Sequence, residues 1–197
     1  MKRTNIRQKK RIFTAKNQPN AMNSSFCITY KLFCGTLRLC ADEQGITSIS
    51  FVKEGETEQP QHIPDPVKVH LHEAIEWLDA YQHTKAPGPN ESSKALPQVT
   101  LHAVGTPFQH AVWEEAMQIP FGETWTYGEL ARRVAQRLGK QRMSAQAVGG
   151  ALRENKVVLI IPCHRVIAAG GKPGGYMGRT ESMLKRLLLL HEGKSLS

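Results

Sequence analysis

The chain of 197 residues predicts an α+β protein: a strand-rich first half followed by a mostly helical second half. Period-two alternation in "TLRLCA" and "ITSISFV", set between turn signals at Cys34-Gly35 and Glu43-Gln44-Gly45, predicts an antiparallel meander from Phe26 to Val52. Helix punctuation then dominates beyond residue 103, with caps at Thr106, Thr126 and Ser144. Charge divides along the same line. Residues 1–25 carry seven Lys/Arg and no acid, residues 26–102 have a net charge of −4, and residues 103–197 a net charge of +6.

Each element has its own local reason. Residues 1–24 mix Lys, Arg, Asn, Gln and Ser without apolar periodicity, which predicts a basic disordered arm. An α/β domain is expected over residues 25–102, its meander covered by a helix in "VKVHLHEAIEWLDAYQ", where Leu71, Ile75 and Leu78 share one face. "VTLHAV" reads as a short strand before a boundary near residue 103. Thr106-Pro107 places a cap and a first-turn proline on the next helix, which Ile119-Pro120 ends. Thr126 and Glu129 form a capping box for a helix ending at Gly139. Ser144 caps "AQAVGGALREN", so the two helices form a helix-turn-helix pair. Gly149 and Gly150 would each cost about 1 kcal/mol inside that helix unless close approach to its backbone is required. "VVLII" reads as a buried strand-like run, "AAGGKPGGYMG" as a glycine-rich loop, and "TESMLKRLLLLHEG" as a closing helix.

Bulk properties narrow the function. No apolar run reaches the roughly 18 residues of a membrane span, and the basic N-terminus lacks the apolar core of a secretory signal. Four cysteines (Cys27, Cys34, Cys40, Cys163) with no C-x-x-C pair suggest reduced thiols and a cytoplasmic protein, nuclear in a eukaryote. A basic second half beside an acidic middle is the footprint of one domain meeting a polyanion, although basic surfaces also simply aid solubility.

The chemistry centres on "IIPCHRVI". Cys163 is open to three readings: a small buried hydrophobe, a metal ligand, or a nucleophile. The residues nearby in sequence form no zinc pattern, and no metal is expected. A nucleophile needs its thiol proton removed, which His164 can do if a carboxylate such as Glu192 orients it. Spacing alone does not bring these groups together.

"GTPFQHAVWEEAMQIPFGETWTYGELA", "AVGGALRENKVVLIIPCHRVI" and "GGYMG…KRLLLLHEG" together resemble the O6-alkylguanine-DNA alkyltransferase (methylated-DNA–protein-cysteine methyltransferase) family over about residues 103–193. The Pro-Cys-His-Arg-Val core is specific, and the first half resembles the family's N-terminal domain more loosely. The resemblance implies a ribonuclease-H-like α/β domain, then a winged-helix-like alkyltransferase domain over residues 103–197 that binds DNA. It implies transfer of an alkyl group from O6-alkylguanine, less readily O4-alkylthymine, to Cys163, once per molecule and without a cofactor.

Carried over by position, His164 deprotonates Cys163 through a water, Glu192 polarises His164, and Asn155 braces the site. Tyr127 rotates the target phosphate and donates a proton toward guanine, while Tyr176 and Met177 wall the base pocket. Thr126, Gln146, Ala147, Gly149, Gly150, Arg153 and Arg165 fall on the DNA- or substrate-facing positions. The implied partner is double-stranded DNA bearing alkylated bases, met by a monomer. A non-catalytic lesion sensor on the same fold is the alternative, and retention of Cys163 argues against it. A thiol redox regulator gains little from a cysteine without a nearby resolving partner.

Four departures from the family pattern carry expectations. Gln146 stands where many members insert an arginine into the base stack, so weaker nucleotide flipping is expected. Met177 replaces a serine in some members, leaving its backbone N–H for the base. The segment from Tyr127 to Gln146 is several residues longer than in compact members. Asp42 and Thr47 stand where zinc-binding members would need a cysteine and a histidine, so His102 and Cys27 are expected to be ordinary residues.

Overall fold

The computed structural model describes residues 12–15, 25–53, 55, 60–85, 96–177 and 182–195. Its first half is built on the expected meander. Strands β2 (Phe26–Leu32), β3 (Gly35–Asp42) and β4 (Gly45–Val52) pair antiparallel in sequence order. Alternation puts Leu37, Leu39 and Ala41 on one face, all fully buried. That face packs under helix α1 (Asp65–His83), whose buried stripe is Val67, Leu71, Ala74, Leu78 and Tyr81. Ile75, expected on the stripe, lies at its flank and is half-buried.

Three expectations for this half need correction. Residues 12–15 are not disordered: they form β1 (Ile12–Ala15), parallel to β5 (His102–Gly105), with Ile12 opposite His102. Without this partner, β5 would leave that backbone edge unpaired. The rest of the proposed arm lies outside the described residues.

The cysteines are not all reduced either. Cys27 and Cys40 face each other across β2 and β3, with Cα atoms 4.1 Å apart, and form a disulfide. Cys34 and Cys163 remain free. Strand register, invisible to a search for closely spaced pairs, brings residues thirteen apart together.

Nor is His102 ordinary. It is buried and meets Asp42 Oδ2 at 2.6 Å, while Asp42 Oδ1 accepts the amides of Gln44 and Gly45 and closes the β3–β4 turn. That turn requires glycine: Gly45 has φ +152°, and a Cβ there would lie 2.8 Å from the Thr100 carbonyl oxygen.

The second half follows its caps. The Thr106 capping box opens α2 (Pro107–Ala116), the Thr126–Glu129 box opens α3 (Tyr127–Arg137), and Ser144 opens α4 (Ala145–Arg153). Gly139, at φ +64°, lets the chain leave α3. The three helices pack mutually, and the buried Trp113 indole donates to the Ala151 carbonyl at 2.9 Å, tying α2 to α4. Helix α5 (Met183–His191) closes the chain against the turn carrying Cys163.

"VVLII" is a doubled-back loop rather than a strand. Leu159 adopts φ +73°, and the Ile161 amide donates to the Val157 carbonyl. The open edge of β4 holds this loop from the other half: Ile49 donates to Lys156 O and accepts from Val158 N. A 3₁₀ turn (Cys163–Arg165) follows, then β7 (Val166–Ile167), parallel to β6 (Trp125–Thr126). Among the described residues, no helix is long and apolar enough to cross a membrane.

Candidate active site and DNA-facing cleft

A cleft of about 680 Å³ opens where α3, α4, the Cys163 turn and the glycine-rich loop converge. Tyr127, Gln146, Gly149, Gly150, Arg153, Cys163, Tyr176 and Met177 all line it, so residues far apart in sequence share one wall. The α4 glycines keep that wall low. A Cβ on Gly149 would approach the Tyr127 ring at 3.6 Å, whereas one on Gly150 would meet nothing within 4 Å. Both leave room for another molecule to approach the α4 backbone.

Cys163 lies at the base of this cleft, 8 % exposed. Its position depends on Asn155, whose amide donates to Cys163 Sγ at 3.2 Å and to Ile161 O at 3.0 Å. Asn155 Oδ1 accepts the Val157 amide at 2.9 Å, so this side chain spans both ends of the doubled-back loop. Burial pushes the Cys163 thiol above its usual range, while the Asn155 hydrogen bond and the charge of Lys185 oppose that rise.

Behind the sulfur, His164 is fully buried, and its Nε2 meets Glu192 Oε1 at 2.8 Å. Burial lowers its pKa and Glu192 raises it, with a net decrease. A neutral ring donating from Nε2 has its lone pair on Nδ1, an atom with no hydrogen-bond partner among the described residues. That geometry suits a base.

Glu192 is the hub. Its Oε1 accepts from His164, from Tyr81 at 2.9 Å and from Arg165 at 3.0 Å. Its Oε2 accepts from Arg165 Nε at 2.8 Å and the Gly122 amide at 3.2 Å. Burial would raise this carboxyl, but His164 and Arg165 outweigh it and hold the pKa at about 2.

Arg165 is expected on the substrate-facing side, and the structure puts it elsewhere. The guanidinium is buried, fork-bonded to Glu192 and donating to Ile119 O at 2.8 Å. A rigid fork matched to a carboxylate makes it an internal clamp rather than a DNA contact. Thr126 is likewise engaged in its own capping box, and exposed Ala147 lies outside the cleft lining.

Tyr127 donates to the Gly175 carbonyl at 3.3 Å, and burial pushes its hydroxyl pKa up. Tyr176 is buried, with an unpartnered hydroxyl among the described residues. Met177, at φ +49°, is half-exposed at the cleft mouth. Outside the cleft, Arg132, Arg133, Lys140 and Arg142 are exposed on α3 and the α3–α4 connection. Arg133 lies 3.9 Å over the Trp125 ring.

Sequence reasoning missed Tyr81 and Lys185. Tyr81 reaches Glu192 from α1, a contact spanning 111 positions that no motif announces. Lys185 had a weak signal: with Arg186 beside it, it is one of two adjacent cations in an otherwise leucine-rich helix.

Comparisons with known proteins agree with this geometry. Residues 107–194 match the model of the 6-O-methylguanine DNA methyltransferase DNA-binding domain, and residues 26–87 match that of its ribonuclease-like domain. The chain is 36% identical over 162 residues to a methylated-DNA–protein-cysteine methyltransferase of Methanosarcina acetivorans, covering 81% of this chain and 92% of the relative. The Homo sapiens protein of that name is 33% identical over 174 residues, covering 82% and 77%. Among solved structures, Mycobacterium tuberculosis OGT in complex with DNA superposes with a TM-score of 0.60 at 32% identity, covering 86% of this chain and 94% of that one.

Proposed function

Because this chain belongs to the methylated-DNA–protein-cysteine methyltransferase family, we propose that it repairs DNA by moving the alkyl group of O6-alkylguanine onto Cys163. One observation supports this above the others: a cysteine sulfur at the base of an open cleft, held by an asparagine donor and backed by a buried Glu–His pair.

The chemistry follows from those positions. His164 takes the thiol proton through Nδ1 by way of a water, and Glu192 stabilises the imidazolium that forms. The Cys163 thiolate attacks the alkyl carbon, the S–C bond forming as the C–O6 bond breaks. The bonding pair stays on guanine, and Tyr127 supplies the proton that neutralises it. A thioether does not hydrolyse, so each molecule reacts once. O4-alkylthymine presents the same bond to the sulfur and reacts less readily.

The target carbon is out of reach inside a duplex, so the nucleotide turns out of the stack into the cleft, at a cost of a few kcal/mol. The α4 N-terminus and the exposed bases of α3 and its connection hold phosphates without reading sequence. Residues 103–197 form the DNA-binding and transfer domain, and residues 25–102 support it. The protein acts as a monomer, in the cytoplasm or, in a eukaryote, the nucleus.

Incubation with an oligonucleotide containing O6-methylguanine, followed by intact mass and peptide mapping, tests the assignment. A single added methyl on the Cys163 peptide is expected; a methyl elsewhere, or none, overturns it.

Gln146 is exposed on the cleft wall, where an amide can fill the gap left by a flipped base but brings no charge. Gln146→Arg is expected to speed single-turnover repair of duplex DNA about three- to tenfold, corresponding to roughly 1 kcal/mol. Reaction with free O6-benzylguanine should change little. Equal acceleration of both reactions would show that Gln146 does not act through flipping.

A further inference from the structure

The carboxylate of Glu192 gathers donors from both halves of the chain. On Oε1 three of them converge: His164 Nε2 at 2.8 Å, Arg165 at 3.0 Å and the Tyr81 hydroxyl at 2.9 Å. His164 is the base and Arg165 the clamp. Tyr81 comes from α1, 111 positions away, and takes no part in the proton transfer itself.

Its ring has little freedom. Tyr81 is fully buried, stacked nearly parallel on Trp77 at 5.2 Å and edge-on to Phe121 at 5.7 Å. It also meets the His164 ring edge-on at 6.5 Å, and its carbonyl lies 3.0 Å from His191 Nε2. Packing therefore aims the hydroxyl at Glu192. Burial and the Glu192 charge push its pKa well up, so it stays protonated and always donates.

A donor on a carboxylate favours the charged form and makes that carboxylate less basic. The Tyr81 hydroxyl thus leaves Glu192 a weaker partner for the Nε2 proton, and His164 becomes less basic in turn. The other groups around this pair are accounted for. The turn contributes Cys163, His164 and Arg165, α5 contributes Lys185, His191 and Glu192, and the Phe121–Gly122 segment contributes the Gly122 amide. Tyr176 in the cleft wall and Cys34 at the β2–β3 turn are pushed up by burial and stay neutral. Burial lowers the His164 pKa, Glu192 raises it, and Arg165 and Lys185 lower it further.

We infer that Tyr81 is a further positioning residue of the transfer reaction: its hydroxyl fixes Glu192 Oε1 and tempers the pull of that carboxylate on His164, so that the imidazole stays neutral until it receives the thiol proton. The inference rests on His164 acting as the base for alkyl transfer to Cys163. Tyr81 itself gives up no proton and forms no bond.

Tyr81→Phe removes the donor and keeps a ring of the same outline. Single-turnover methyl transfer from the O6-methylguanine oligonucleotide is followed across a pH series, and the midpoint of its acidic limb is the readout. That midpoint should rise by about half to one pH unit, because an untempered Glu192 makes His164 more basic. A ring that only fills space would change the rate by one factor at every pH. A midpoint that stays or falls overturns the inference, whatever happens to the rate.

Should Tyr81→Phe fail to fold, 3-fluorotyrosine placed at position 81 alone keeps the hydroxyl and strengthens it as a donor. The midpoint should then move down, and an unmoved or higher one overturns the inference. The ring nitrogens of His164, titrated by NMR without DNA, should follow the same shifts, and equal titrations in wild type and variant overturn the role of Tyr81. Failure of wild-type Cys163 to accept a methyl overturns the transferase assignment instead, and the ring titration still decides what Tyr81 does.

Discussion

Glu192→Gln is expected to destabilise the protein by about 3–5 kcal/mol, the usual cost of removing one partner from a buried ion pair. The carboxylate accepts five hydrogen bonds from four residues, and its buried charge answers the buried Arg165 guanidinium. A neutral amide leaves that guanidinium uncompensated and turns two of its own protons toward existing donors. For a chain of this length the loss lowers Tm by roughly 10 °C or more. Single-turnover methyl transfer should fall at least a hundredfold, because His164 loses the group that fixes its tautomer and stabilises its protonated form.

The pH dependence gives the same prediction a sign. The folded pKa of Glu192, at about 2, lies below its ordinary value of 4.5. Its stabilising contribution is therefore complete above about pH 4.5 and disappears as pH falls through 2. Urea midpoints of wild type and Glu192→Gln should be far apart at neutral pH and converge on acidification from 4.5 toward 2. A constant gap across that range would mean that Glu192 contributes through shape rather than charge.

Local rules made much of this site legible beforehand. Caps at Thr106, Thr126 and Ser144 are short-range chemistry, and each opens the helix expected of it. Tyr127, Gln146, Gly149, Gly150 and Arg153 lie on two such helices, so fixing the helices went far toward placing one wall of the cleft. Leu159 shows where local reading stopped. An aliphatic run fits a strand equally well, and only the tertiary clamp from Ile49 and Asn155 bends it into a loop with a left-handed residue. Arg165 failed for a related reason: the family resemblance put it on the substrate-facing side, while its direction was set by Glu192, 27 residues away. Tyr81, the Cys27–Cys40 disulfide and the Asp42–His102 pair all depend on register or packing between distant segments.

Asn155→Ala is the second substitution with a large expected effect, and it separates two roles held by one side chain. Its amide donates to both the sulfur and Ile161, and its carbonyl accepts from Val157. Truncation leaves the Val157 N–H and Ile161 carbonyl to find other partners, at about 1–3 kcal/mol of stability. It also removes a donor that favours thiolate over thiol, and it releases the loop that aims Cys163. Transfer demands near-attack geometry, and a displacement of 1 Å can cost about a hundredfold. A loss of at least that size is expected in single-turnover repair, more than the stability change alone would cause in a protein still folded. Asn155→Asp divides the causes. It keeps an acceptor for Val157 but sets a carboxylate beside the sulfur, which raises the thiol pKa. Transfer by the Asp variant should recover as pH rises and thiolate forms, whereas the Ala variant should stay slow at every pH. Parallel profiles for the two would show that Asn155 acts only by holding the loop, and a wild-type rate in the Ala variant would show that the sulfur needs no donor at all.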